Sequence, residues 1–127
     1  MKELFALPEP STALVGNQVT LAKNPGRQWS LVLEYEPDVA SPERKGVLEF
    51  SDVEAFRCTY ESSCGPEVIG AYDKLVDVGQ TEWLKHAVSN LARRGKPSRD
   101  LLHLMILFDD GPCYEFLCRR WRYLEIT

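Results

Sequence analysis

Leu101-Leu102-His103-Leu104-Met105-Ile106-Leu107-Phe108-Asp109-Asp110-Gly111-Pro112-Cys113-Tyr114-Glu115-Phe116-Leu117-Cys118-Arg119-Arg120 decides the fold. From Leu101 to Phe108 the run is apolar except for His103, and an aspartate bounds each end. A run that short and that greasy suits a strand covered on both faces. Asp109-Asp110-Gly111-Pro112 is turn chemistry: Asp accepts backbone N–H bonds and Gly supplies a positive φ. Cys113 to Arg120 then returns as a second strand, and Trp121 to Ile126 extends it past a bend or bulge at the arginines. The spacing therefore predicts an antiparallel hairpin near the centre of a sheet.

Upstream, Trp29 to Tyr35 alternates, with Trp29, Leu31, Leu33 and Tyr35 on one face. Glu36 to Arg44 holds two prolines among charges and reads as a loop. Lys45 to Phe50 and Val53 to Tyr60 read as strands separated by a break at Ser51-Asp52. Two helices are expected next. Val68, Ile69, Tyr72, Leu75 and Val76 fit a helical stripe behind Pro66, with Gly79 as C-terminal cap. Thr81 caps the second helix, whose stripe is Trp83, Leu84, Ala87, Val88 and Leu91 and which ends at Gly95 and Pro97. The predicted fold is α+β. A mainly antiparallel sheet of five to seven strands carries an αα-hairpin packed on one face. All 127 residues are expected to form a single domain. Its parts are an irregular segment over 1–28 with a short strand at Gln18–Ala22, strands over 29–60, a helical hairpin over 64–94 and strands over 101–126.

Lys and Arg number 15 against 19 Asp and Glu, a net charge of −4. That balance argues against a dedicated nucleic-acid binder. No apolar run approaches the roughly 20 residues of a bilayer span, and the first ten residues lack a secretory signal. The charges are unevenly placed: Glu34 to Glu61 holds eight acids and three bases, and Lys85 to Arg99 holds five bases and no acid. Such a split can orient a charged partner. The binding candidates are Arg93 and Arg94 on the basic stretch, and Arg119, Arg120 and Arg122. Arginine beside aromatics can clamp an anion, though strand-edge protection is the preferred reading for the last three.

Cys58, Cys64, Cys113 and Cys118 lack the spacing of zinc knuckles, so reduced thiols in a cytoplasmic protein are expected, with no metal and no cofactor. His103 interrupts an apolar strand and must find a partner, and Glu115 on the returning strand is the candidate. Cys113 could join them as a nucleophile beside a base. Asp109 and Asp110 are weaker candidates for cation binding or acid–base work. No phosphate loop, dinucleotide pattern or serine elbow occurs.

Ala71-Tyr72-Asp73-Lys74-Leu75-Val76-Asp77-Val78-Gly79-Gln80-Thr81-Glu82-Trp83-Leu84, His103 to Phe116 and Phe56-Arg57-Cys58-Thr59-Tyr60 together resemble small, uncharacterised bacterial single-domain proteins. The resemblance spans most of residues 29 to 122 and implies no catalytic residue. The general build is also similar to immunity proteins of bacterial toxin systems. The expected function is a non-catalytic, protein-binding module of the bacterial cytoplasm, immunity- or adaptor-like. The alternative is a small enzyme or small-ligand-binding protein using a pocket of His103, Glu115 and Cys113. A recess where these side chains meet would favour the alternative.

Overall fold

The computed structural model describes residues 1–37 and 44–126. Nine strands form two antiparallel sheets: β1 (Lys2–Ala6), β2 (Thr20–Asn24), β3 (Gln28–Tyr35), β4 (Arg44–Ser51), β5 (Ala55–Thr59), β6 (Lys74–Asp77), β7 (Leu102–Leu107), β8 (Cys113–Cys118) and β9 (Arg120–Ile126). One sheet has the order β1-β6-β7-β8-β5 and the other β2-β3-β4-β9. The helix α1 (Glu82–Arg93) is the one α-helix among the described residues. No helix among them is long and apolar enough to cross a membrane.

The sheets face each other because alternate residues of their strands are apolar. Leu31, Leu33, Tyr35, Leu48 and Phe50 of one sheet pack on Leu104, Ile106, Tyr114 and Phe116 of the other. At the middle, Phe50 and Phe116 stack with ring centroids 4.0 Å apart. The predicted β7–β8 hairpin forms, with Leu104 opposite Phe116 and Ile106 opposite Tyr114, and β7 is the central strand of its sheet. Asp110 and Gly111 both adopt positive φ in its turn. A Cβ at Gly111 would lie 2.9 Å from the Glu61 backbone nitrogen, so the turn demands glycine.

The bend predicted at the arginines falls at Arg119 and does more than kink a strand. It moves the chain from β8 in one sheet to β9 in the other, where β9 pairs with β4. That transfer is one reason a single sheet of five to seven strands gives way to two sheets of five and four.

The αα-hairpin over 64–94 does not form. Pro66–Ala71 winds as 3-10 turns, Asp73 turns to positive φ, and Lys74–Asp77 is β6. The cause is burial on both faces. β6 lies between β1 and β7, and Leu75 and Val76 are both buried there. Two adjacent buried residues satisfy a helical stripe as well as a covered strand, and Ile69, which the stripe placed in a core, is exposed. The N-terminal segment is also more regular than expected: β1 pairs with β6, and β2 pairs with β3 across the Asn24–Gln28 turn. Most of the predicted 36–44 loop lies outside the described residues.

Candidate functional site

The odd-numbered residues of β7 and β8 point away from the sandwich core, and their outer face is roofed in two places. α1 lays Leu84 and Leu91 over Leu117 and Leu101. The Pro66–Ala71 turns lay Ala71 and Val68 over Met105, Leu107 and Cys113. Between the two roofs lies a recess of about 640 Å³, whose lining includes Arg57, Thr81, Trp83, His103, Cys113 and Glu115.

Strand register brings the polar side chains together. Arg57 on β5 lies directly opposite Glu115 on β8. His103 pairs with Leu117, one diagonal step from Glu115. His103 Nε2 and Glu115 Oε1 are 2.8 Å apart, both side chains being almost fully buried. Arg57 grips the same carboxylate with two bonds, Nε to Oε2 at 2.7 Å and Nη2 to Oε1 at 3.0 Å. Its guanidinium lies over the Trp83 ring, 4.1 Å from the centroid, and Trp83 meets the His103 ring edge-on. Thr81 Oγ1 lies 2.8 Å from His103 Nδ1.

Burial works to raise the Glu115 pKa, but the hydrogen bonds from His103 and Arg57 outweigh it and hold the carboxyl down at about 2. An ionised carboxylate only accepts, so His103 Nε2 carries a proton and donates it. In the neutral form of the ring Nδ1 is bare, and the Thr81 hydroxyl donates to it. Thr81 Oγ1 in turn accepts from Leu84 N–H at 3.3 Å, which makes it the N-cap of α1 as the sequence predicted. Every polar group of this buried chain is thereby satisfied.

Cys113 lines the recess but does not enter the chain. Its thiol is wholly buried, and burial pushes its pKa up to about 12, so it stays protonated and poorly nucleophilic. Asp109 and Asp110 sit elsewhere, at the hairpin tip. Asn17 donates to both, Tyr72 O–H donates to Asp109, and Asp109 N–H donates to Ser11 Oγ, so the pair pins the N-terminal segment to the turn. Among the described residues no three His, Cys, Asp or Glu side chains gather as metal ligands.

The arginine candidates divide. Arg120 pairs with Asp52 and Arg122 with Glu49, while Arg119 spans Glu54 and the carbonyls of Pro97 and Arg99. These are cross-links between neighbouring segments. Arg93 and Arg94 instead rim a groove of about 670 Å³ between α1 and β5, together with Lys96 and His86, over a floor of Ala55, Trp83, Ala87, Leu91 and Leu117. Arg93, Arg94 and Lys96 take no carboxylate partner among the described residues. Of the six acids of the acidic stretch among the described residues, four are engaged: Glu34 with Lys45, Glu49 with Arg122, Asp52 with Arg120 and Glu54 with Arg27 and Arg119.

Sequence reasoning brought His103 and Glu115 together and missed Arg57, Trp83 and Thr81 as members of the same site. The signal for Arg57 was its place in a strand otherwise rich in β-formers and aromatics. Thr81 gave only a capping signal, since its second bond depends on where α1 docks. Compared with protein-family models, with curated proteins and with solved structures, the chain finds no match in any of the three.

Proposed function

We propose that the recess over Arg57, Glu115 and His103 is the binding site of a small organic ligand, uncharged or cationic, with an apolar portion. The observation that carries this reading is the position of the buried His103–Glu115 pair. It stands at the floor of an open recess, while the same sheet face on either side is roofed by apolar side chains. Val68, Val78 and Met105 supply apolar wall, and Thr59 and Ser63 supply hydroxyls. Arg57 is the one Lys or Arg side chain among the described residues of this lining and is already paired, while Glu67 and Glu82 add negative side chains, so anionic ligands are disfavoured. The test is a fragment titration followed by amide, indole and methyl NMR resonances. Saturable shifts confined to Trp83, Met105 and Thr81 are expected. A library of neutral and cationic fragments that shifts none of them would remove the reading.

A second reading rests on the groove beside α1. Its unpaired cations and apolar floor suit an acidic segment of a protein partner, in the manner of an immunity or adaptor protein. A partner captured at low salt and lost at high salt is expected, with capture abolished by Arg93→Glu combined with Arg94→Glu. Capture indifferent to both changes would end it. The four free thiols support a reducing compartment, hence the cytoplasm, and the resemblance to small bacterial proteins supports a bacterial source. The acidic balance supports a protein that does not bind nucleic acid.

A further inference from the structure

We infer that Thr81 is the reactive group of the recess, a hydroxyl nucleophile that His103 deprotonates and Glu115 orients, acting on uncharged carboxylic esters. The inference rests on the reading of the recess as a ligand site. It begins from a restriction. Both imidazole nitrogens of His103 are engaged, Nε2 with Glu115 and Nδ1 with Thr81, and the ring is almost fully buried. With both nitrogens so engaged, His103 first acts on a ligand through Thr81, which lines the recess beside it, and Nδ1 is freed for the leaving group and for water once the Thr81 oxygen is bonded to the acyl carbon.

The spacing is that of nucleophile, base and orienting acid. Thr81 Oγ1 to His103 Nδ1 and His103 Nε2 to Glu115 Oε1 are each 2.8 Å. Such sets are defined by geometry and roles rather than by residue order, and here the two ring nitrogens exchange the parts they play in serine proteases. Arg57 holds Glu115 by two further bonds, which fixes the ring's orienting partner. Leu84 N–H adds a donor to the Thr81 oxygen and favours developing negative charge there.

The lining selects the substrate class. A hydroxyl with a neighbouring base serves acyl or phosphoryl transfer. Glu67, Glu82 and Glu115 around the recess repel a phosphate, and an uncharged ester meets no such penalty. Val68, Val78 and Met105 accommodate a short alkyl chain. In the first step Thr81 Oγ1 bonds to the carbonyl carbon, its proton passes to His103 Nδ1, and the carbonyl π pair moves to oxygen. Collapse breaks the bond to the leaving oxygen, which takes the proton from His103. Water then gives a proton to His103 and its oxygen to the acyl carbon. The bond to Thr81 breaks, Thr81 recovers the proton, and the products are an alcohol and a carboxylic acid.

The test uses p-nitrophenyl butyrate at neutral pH. Thr81→Asn is the decisive variant, because asparagine caps helices as well as threonine but carries no hydroxyl. Thr81→Ser keeps both cap and hydroxyl. We expect wild type to exceed Thr81→Asn by about 100-fold, the range of a positioned base. Thr81→Ser should retain most of the rate, His103→Gln should lose it, and intact-mass and peptide analysis should place a butyryl group on Thr81. Equal rates for wild type and Thr81→Asn, or a butyryl group mapped elsewhere, would overturn the inference. N-Methylbutanamide, which offers the same butanoyl chain as an amide rather than an ester, separates the two readings. Shifts at Trp83 and Met105 without ester turnover remove the nucleophile and leave the binding site; no turnover together with no shifts from this amide or from the fragment library removes both.

Discussion

The two faces of β7 and β8 are built from the same two strands and differ in everything but backbone. Toward the other sheet they present Leu104, Ile106, Tyr114, Phe116 and Cys118, all buried in one apolar cluster. Away from it they present His103, Met105, Cys113, Glu115 and Leu117, roofed only in part. A core could be closed on both sides with more leucine. The outer face instead holds a carboxylate that needs three bonds to stay ionised out of water, and it leaves a recess above that carboxylate. Burying a charge without such bonds costs several kcal/mol, so the outer face is the part of the sheet whose side chains must be held in register.

That contrast can be broken from either side. Phe116→Ala removes the ring stacked on Phe50 and should lower stability by about 4 kcal/mol, measured by urea denaturation, because the sandwich cannot collapse around the void. A loss under about 1 kcal/mol would mean that the inner face is not the tightly packed one. Glu115→Gln should cost about 3 kcal/mol, since it leaves Arg57 and His103 facing a weaker acceptor. The pH dependence sharpens this. The Glu115 carboxyl lies near 2 in the folded chain against an ordinary value of 4.5. Its contribution is therefore full above about pH 4.5 and is lost as pH falls toward 2, because the unfolded chain then binds the proton first. Wild type should lose stability across that acid window, and the curve of Glu115→Gln should be flatter there. Equal slopes would deny the carboxylate its role. Arg122→Ala, on the exposed flank of β9, should change stability by no more than about 0.5 kcal/mol despite its bond to Glu49.

The comparison also explains what the sequence made legible. Period-two alternation predicted the inner face of β3, because one side of that strand is a continuous apolar row. The β7–β8 hairpin was plain from its apolar run and its turn residues. β6 was not, because Leu75 and Val76 are buried on opposite faces and imitate a helical stripe. Two sheets instead of one depended on Arg119, where a change of sheet and a simple bulge leave the same local signal. For the site, His103 and Glu115 were paired because neighbouring strands had to place a lone histidine near an acid. Arg57 and Thr81 join them only through cross-strand register and the docking of α1, so their local signals, a cation in a strand and a helix cap, do not point to the site.

The joint at Arg119 gives the molecule a lever. Glu115 stands on β8 at the floor of the recess, and five residues later, at Arg120, the same chain has entered the opposite sheet, bonded along its length to β4. One peptide corner therefore joins the strand that carries Glu115 to a surface on the far side of the sandwich. Leu124, half in solvent on β9, is a natural place for a fluorophore that listens to the recess without touching it.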